Sequence, residues 1–274
     1  MSAVGSSVGA SSLLTDYPAM LGQAGRYALA AGLLFVFARG RLPRLTGRDG
    51  VTLGALALTG LAGFNVLLIA ALEHADPGSV GVIVGAVPLA LAVSGPLFAG
   101  RAPSTPLVAA AALVVLGAAI VQWASPNLSP VGLALAVGAL AAEAAFTLLA
   151  VPVLPRIGPL ATSAYACLFA APLLLVGAVL TGSELPLPRP AELAALLYLA
   201  VVVTALAFVA WYAAVGALGA DRAGLFAGLV PITALLSGAL LGTAIVTPAG
   251  LLGALLVGAG IAAGLRARAP EPGG

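Results

Sequence analysis

The sequence predicts an all-α membrane protein. Of its 274 residues, 62% are hydrophobic and only 7% are charged, and the mean hydropathy is +1.17. A soluble domain carries about 25% charged residues, and a chain with so few polar side chains cannot cover a water-exposed surface. The apolar residues also fall into runs long enough to cross a bilayer. This composition excludes a soluble enzyme, a disordered chain and a nucleic-acid-binding protein with a basic face.

Nine segments meet the length requirement for a spanning helix, which is roughly 20 apolar residues for a hydrocarbon core of about 30 Å. A serine-rich stretch at Ala3–Leu14 is too short to span, and we interpret it as the remnant of a first helix. Short polar or proline-rich connections separate the spans, so no soluble domain is inserted. The predicted spans are approximately 23–38, 51–72, 79–99, 106–124, 131–154, 159–182, 191–218, 223–242 and 247–265.

The arginine residues indicate the orientation of the chain, because cytoplasmic loops of membrane proteins are enriched in basic residues. If the loop that contains Arg39 to Arg48 is cytoplasmic, nine of the eleven arginines lie on that side. Only Arg26 and Arg189 fall on the other side, where we expect Arg26 to extend toward the membrane surface or to pair with Asp16. The sequence therefore predicts a cytoplasmic C-terminus.

The first half of the chain repeats as the second half. A shift of 143 residues places GVIVGAVPLALAVSG, which begins at Gly81, on GLFAGLVPITALLSG, which begins at Gly224. The repeats are 1–125 and 126–274, and each holds five helices if the N-terminal remnant is counted. Because five is odd, the second repeat enters the membrane from the opposite side. Two inverted repeats are typical of transporters that work by alternating access; duplication for stability alone is the other interpretation.

Several segments together resemble one family in their order and spacing. They are VGSS at 4–7, AGRYALAAGLL with Arg26, the stretch 63–92, AAEAAFTLLAVPVL at 141–154 and the stretch 204–238. They are similar to the EamA-type branch of the ten-helix drug/metabolite transporter superfamily. This resemblance implies a secondary transporter that exports small metabolites, amino acids or drug-like molecules across the bacterial inner membrane. It also implies a central cavity between the two halves.

The resemblance implies no ATP hydrolysis, and the sequence agrees because it has no G-x-x-x-x-G-K-[ST] loop. A gradient of the substrate, of protons or of another ion would then drive transport. The single histidine, His74, and the single cysteine, Cys167, predict no metal site. We therefore expect no cofactor, and the predicted partners are a small-molecule substrate and the lipid bilayer, without nucleic acid.

Glu143 is the most informative candidate residue because it lies in the middle of a predicted span. A charge at the centre of a membrane helix costs about 2.5–3.5 kcal/mol on insertion scales. Its carboxyl group could contact a substrate amine or couple transport to protons, or it could be neutral and hydrogen-bonded to a neighbouring helix. Asn65 also lies within a span, where its amide could bind substrate or simply join two helices.

Four further residues complete the predicted cavity lining. Thr204 and Trp211 are seven residues apart and therefore share a helical face. Trp211 could form an aromatic wall or a cation–π contact, or it could be an anchor at the membrane interface. Phe146 and Ser237 are the other two predicted lining residues.

Pro88 and Pro231 occupy equivalent positions in the two repeats, each in the middle of a span. A proline removes a backbone donor and leaves a carbonyl free one turn earlier in the helix. Matched interruptions in both halves point to the binding site of an inverted-repeat transporter. The two prolines could therefore act as hinges beside the cavity, or they could be packing kinks only.

Two other functions are alternatives to transport. Gly5 to Gly9 match the G-x-S-x-G pattern of a nucleophilic serine, which would suggest an intramembrane serine hydrolase. However, the one histidine, His74, lies in a predicted loop, and we predict no enzyme activity. A Ser7→Ala substitution would abolish a hydrolase and leave a transporter working. The third possibility is a scaffold without transport activity.

Overall fold

The computed structural model describes residues 12–14, 16–122, 128–184, 186–240, 242 and 244–267. In these ranges the predicted spans correspond one for one to nine long helices, and a single bridge between Ala75 and Leu128 is the only extended pairing. The helices are α1 Ala19–Phe37, α2 Gly47–Leu72, α3 Pro77–Phe98, α4 Thr105–Val121, α5 Pro130–Leu148, α6 Leu154–Leu180, α7 Pro190–Leu218, α8 Ala220–Leu240 and α9 Pro248–Arg266.

Eight of the described helices are long and apolar enough to cross a membrane. The remaining described helix, α4, has 17 residues and is about 25 Å long. Large apolar side chains such as Val36, Leu180 and Leu240 are exposed on the outside of the bundle, as expected for contact with lipid. The chain is therefore a multi-pass, all-α membrane protein, as the sequence predicts.

Three helices of the first half pack against the helices to which the sequence shift relates them. The pairs are α1 with α6, α3 with α8, and α4 with α9. The interface between α4 and α9 contains two close contacts of the same kind, in each of which a glycine of one helix lies against a backbone carbonyl of the other. A Cβ atom on Gly117 would lie 2.5 Å from the Gly253 carbonyl oxygen, and one on Gly260 would lie 2.9 Å from that of Ala110. The shift relates these two contacts to each other. The division near residue 125 and the inverted topology stay predictions.

Successive helices are joined by short connections, so their ends alternate between two faces of the bundle. We call the face that carries Arg39, Arg41, Arg44 and Arg48 the arginine face, and the other the opposite face. On the arginine face, Asp49 forms an ion pair with Arg156, and Arg101 lies 4.0 Å from Asp221. Both contacts join the first half of the chain to the second.

On the opposite face, Arg189 lies 2.5 Å from Glu192 and 3.6 Å from Asp16. The first of these contacts is within the N-terminal turn of α7. Asp16 therefore pairs with Arg189 rather than with Arg26.

Candidate functional site

A cavity of about 430 Å³ lies inside the bundle, and its lining runs from Gly81 and Gln122 near the opposite face to Glu143 and Trp211, past the middle of α5 and α7. This volume falls in the range of small-molecule sites, which is about 300–1,000 Å³. Its wall is largely apolar and includes two charged side chains. Helices of both halves contribute to the lining, which consists of Gln23, Arg26, Tyr27, Gly60, Leu61, Phe64, Asn65, Leu68, Gly81, Val84, Gly85, Val87, Gln122, Glu143, Phe146, Val203, Ala207, Phe208, Trp211, Ala227, Val230 and Pro231.

Glu143 lines the cavity from the last third of α5 and is half-buried. Its carboxyl group forms no hydrogen bond or ion pair with any residue that the structure describes. This placement fits the prediction of a carboxyl group that faces a wet cavity, and it disagrees with the alternative of a carboxyl hydrogen-bonded to a neighbouring helix. Whether the group contacts substrate or carries a proton stays a prediction.

Arg26 also lines the cavity, and here the sequence-based expectation was wrong. Its Nε donates a hydrogen bond to Thr204 Oγ1 at 2.5 Å, and its Nη1 donates one to Gln23 Oε1 at 3.3 Å. The guanidinium carbon lies 5.5 Å from the centre of the Tyr27 ring. Helix α1 begins at Ala19 rather than near residue 23, so Arg26 is about two turns inside the helix and points inward.

Asn65 joins two helices, which is one of the two roles predicted for it. Its Nδ2 donates to Leu61 O at 2.7 Å and to Tyr27 Oη at 3.2 Å, which joins α2 to α1. The same side chain lines the cavity. Asn65 therefore fixes Tyr27 in the wall, while direct contact with substrate stays a prediction.

Aromatic rings form one continuous side of the site. Phe208 lies 6.3 Å from Tyr27 and 4.8 Å from Phe146, and Phe146 lies 5.1 Å from Tyr212, all measured between ring centroids. Such separations are those of interacting aromatic pairs. The Tyr212 hydroxyl donates to Phe146 O at 3.2 Å, which joins α7 to α5.

Trp211 is part of the cavity wall and not an anchor at the membrane interface. Its side chain is only 7% exposed, and its Nε1 donates to the buried Thr147 hydroxyl at 3.0 Å. Thr204, in contrast, is fully buried and reaches the cavity only through Arg26. Of these two residues, which were predicted to line the cavity together, only Trp211 is among the lining residues. Thr204 lies in a π-helical stretch, Leu199–Leu206, whose wider turns shift the register of the residues that follow.

Replacing Trp211 by Phe is expected to lower the free energy of unfolding by about 1–3 kcal/mol, because it leaves the buried Thr147 hydroxyl without its partner. Thermal unfolding of the purified protein in detergent would measure the loss. The matched control adds Thr147→Val to the Trp211→Phe variant. If the hydrogen bond carries the effect, the double variant should be little worse than Trp211→Phe alone, whereas fully additive losses would contradict it.

The π-helical stretch in α7 has a counterpart in α2, at Ala57–Gly63. The 143-residue shift places the stretch in α2 on the stretch in α7. The stretch in α2 contributes Gly60 and Leu61 to the cavity lining, and the one in α7 contributes Val203. Short π-helical insertions occur often at functional sites. The predicted spans do not include these stretches, because a span predicted from length and composition is a helix of uninterrupted period.

The two predicted proline interruptions lie at real breaks in the helices. In α3 the helix is interrupted at Gly85 and Ala86, and in α8 a 3₁₀ turn runs over Leu225–Gly228. Pro231 lines the cavity, whereas Pro88 is buried next to the lining residue Val87.

Ser237 is not among the lining residues. It follows Pro231 by six residues, about one and two-thirds turns, and therefore lies on another face of α8.

The residues of the predicted hydrolase motif, Gly5 to Gly9, lie outside the described residues, as does most of the predicted first-helix remnant. Of that remnant, the structure describes a 3₁₀ turn at Ser12–Leu14. His74 is exposed at the end of α2, with its Nδ1 2.9 Å from Ala70 O. It is not one of the residues that line the cavity.

Comparison with known proteins gives consistent results. The sequence profile of the EamA-like transporter family matches residues 130–264. The uncharacterized transporter YetK of Bacillus subtilis (strain 168) is 28% identical over 256 residues, which cover 88% of this chain and 77% of YetK. A crystal structure that is 18% identical superposes with a TM-score of 0.83, over 96% of this chain and 93% of the other, and so shares the fold. Residues 130–264 therefore match the EamA-like transporter family, and the findings together support an EamA-type protein of the drug/metabolite transporter superfamily that is a membrane transporter.

Proposed function

We propose that this protein is a secondary transporter that exports small metabolites, amino acids or drug-like molecules by alternating access. The observation that carries the proposal is the cavity of about 430 Å³, lined from both halves of the chain by two charged groups and an aromatic wall. A scaffold has no need for charged side chains around a void, because each charge is costly in a membrane.

The arrangement of ion pairs supports alternating access. The cavity lining reaches the opposite-face ends of α3 and α4, whereas the Asp49–Arg156 and Arg101–Asp221 contacts join the two halves at the arginine face. This is the arrangement expected of a carrier whose site is closed at one face. The arginine face lies on the cytoplasmic side of the bacterial inner membrane. The cavity therefore faces the outer side, and the C-terminus is cytoplasmic.

Solute counterflow in proteoliposomes that contain the purified protein tests the proposal. Vesicles are loaded with a mixture of small metabolites, and entry of labelled amino acids and amphipathic amines is followed with and without a pH gradient. We expect at least one solute to exchange faster than in protein-free vesicles. If no solute moves under any gradient, the transport proposal is wrong.

Glu143→Gln tests whether the cavity carboxyl group takes part in transport or in proton coupling. We expect the rate or the pH dependence of flux to change, because a glutamine can neither carry a proton between faces nor neutralise a cation. Glu73→Gln is the matched control, since Glu73 is exposed at the end of α2. Flux that is indifferent to Glu143→Gln at every pH would exclude both roles of the carboxyl group.

A further inference from the structure

A second, smaller cavity of about 90 Å³ lies on the arginine face, where the connections from α3 to α4 and from α7 to α8 meet the end of α9. It shares no lining residue with the larger cavity. Its volume is well below the roughly 300–1,000 Å³ of small-molecule sites, so it has room for a compact group and not for a whole metabolite. Two arginines line it, Arg101 from the first half of the chain and Arg222 from the second.

Both guanidinium groups have hydrogen-bond donors to spare. Arg222 donates from Nη2 to Ala267 O at 2.8 Å, which holds its side chain against the end of α9. The nearest charged partner of Arg101 is Asp221, at 4.0 Å, which is longer than a hydrogen bond. A guanidinium has five N–H donors, and two of them can bind one phosphate group in parallel. The two arginines can therefore hold an oxyanion between them.

The small cavity has an excess of positive charge. Asp221 is the one carboxylate among its lining residues, so two arginines and one carboxylate leave a formal charge of +1. Asp221 Oδ1 already accepts the backbone N–H of Arg222 at 3.0 Å. Arg266, next to the lining residue Ala267, is exposed in the last turn of α9 and adds positive charge nearby. A phosphodiester, which carries one negative charge, balances the charge of the lining.

The small cavity also lies at the depth of the lipid headgroups, because its walls are the ends of five helices at one face of the bundle. Large apolar side chains are exposed next to the lining residues. They are Leu97 and Phe98 at the end of α3 and Leu265 in the last turn of α9. An occupant thus finds cationic partners inside the cavity and an apolar surface beside it, which suits a phospholipid better than a water-soluble anion.

We propose that this cavity binds the phosphate group of an anionic membrane phospholipid. The phosphodiester oxygens accept hydrogen bonds from Arg101 and Arg222, and the acyl chains lie against the exposed apolar side chains beside them. Basic pockets between membrane helices on the cytoplasmic side commonly bind lipid headgroups. Because the two arginines come from different halves of the chain, the bound lipid joins the α3–α4 connection to the start of α8 and stabilises the folded protein.

Lipid binding to the purified full-length protein in a non-ionic detergent tests this site. Dioleoyl phosphatidylglycerol and dioleoyl phosphatidylcholine have the same acyl chains, and only the first has a net negative charge. Binding is measured as the rise in unfolding temperature with lipid concentration, because a ligand of the folded state stabilises it. We expect phosphatidylglycerol to bind about ten-fold tighter than phosphatidylcholine, the size of effect that one charge-assisted hydrogen bond produces. Inorganic phosphate, which lacks the acyl chains, should bind about ten-fold weaker than phosphatidylglycerol or not at all.

Substitutions separate the proposed site from the general attraction of an arginine-rich face for anionic lipid. Arg101→Gln and Arg222→Gln should each remove most of the preference for phosphatidylglycerol. Arg44→Gln is the matched control, because it makes the same charge change at an exposed position of the same face outside the cavity, and it should keep the preference. Asp221→Asn removes the partner of Arg101 but leaves both arginines, so it should keep or increase the preference.

The proposal is overturned if phosphatidylglycerol stabilises the wild-type protein no better than phosphatidylcholine. It is also overturned if Arg44→Gln lowers the preference as much as Arg101→Gln does, since the whole face would then attract the lipid. Equal binding of inorganic phosphate would make the cavity a site for a free anion and not for a lipid. If Asp221→Asn abolished the preference as Arg101→Gln does, the Arg101–Asp221 contact and not a bound phosphate would explain the loss.

Discussion

Replacing Asp49 by Asn is expected to open the cavity toward the arginine face. Asp49 is 7% exposed and pairs with Arg156, whose Nε lies 3.2 Å from Asp49 Oδ1. This contact joins α2 to the start of α6 and thus holds the two halves together. Asparagine keeps an oxygen for the capping box with Thr46 at the start of α2, so the substitution removes the charge and spares the helix end.

The expected size of the effect follows from the burial of the pair. Loss of one partner from a fully buried ion pair costs about 3–5 kcal/mol. The Arg156 side chain is 43% exposed, so solvent screens the pair, and we expect about 1–2 kcal/mol. A free-energy change of this size alters the ratio of the two cavity orientations roughly 5- to 30-fold.

Labelling of a cysteine in the cavity measures this ratio. Ala227 lines the cavity, and the one native cysteine, Cys167, is buried and can be replaced by Ser. In an Ala227→Cys background, Asp49→Asn should speed labelling by a membrane-impermeant maleimide from the arginine face and slow it from the opposite face. Arg156→Gln, which removes the other partner of the pair, should have the same effect as Asp49→Asn.

Glu192 provides a matched control for this experiment. The 143-residue shift places Asp49 on Glu192, which likewise accepts a hydrogen bond from the backbone N–H of the residue before its helix, Arg189, at the start of α7. Its partner, however, is Arg189 of its own N-terminal turn, on the opposite face. Glu192→Gln should therefore leave labelling from the arginine face unchanged. Equal effects of the two substitutions would show that the Asp49–Arg156 pair does not hold the arginine face closed.

The sequence predicts the spans well because membrane crossing is a property of length and composition. Even the start of the regular part of α6 follows from the sequence. Gly158 adopts φ +78° there, and the helix resumes at Pro159, where the predicted span begins. Glu143 could be found in the same way, because a lone charge in a long apolar run has few structural explanations. These predictions need no knowledge of how the helices pack.

Arg26 could not be assigned because the sequence gives its depth in the membrane only approximately and its direction not at all. Its contact with Thr204 joins residues 178 positions apart, and Thr204 lies in a π-helical stretch. The hydrophobic periodicity of the two segments does not indicate such a contact. The same holds for Gln122, which follows the last residue of α4 and enters the cavity because Gly81 leaves room for its amide.

Replacing Gly60 by Ala is expected to destabilise the protein and to distort the cavity. Gly60 lies in the π-helical stretch of α2 and lines the cavity against α5. A Cβ atom at this position would lie 2.7 Å from Phe146 Cα and 2.8 Å from both Phe146 N and Cβ. Because two of these three atoms are backbone, truncating the phenylalanine ring cannot relieve the collision. The two helices must separate, and overpacking of this kind costs about 1–3 kcal/mol.

Gly54→Ala is the matched control, because Gly54 lies on the same helix with nothing within 4 Å of an added Cβ. Alanine is favoured over glycine in a helix interior by about 0.8–1.0 kcal/mol, so this variant should be as stable as wild type or more stable. Gly60→Ala should unfold at a lower temperature and lose solute binding, since the separation moves Phe146 and its neighbour Glu143 away from α2. Adding Phe146→Ala should not restore the unfolding temperature. If Phe146→Ala did restore it, the obstacle would be the phenylalanine side chain, and the close approach of the α2 and α5 backbones would not be what shapes the cavity.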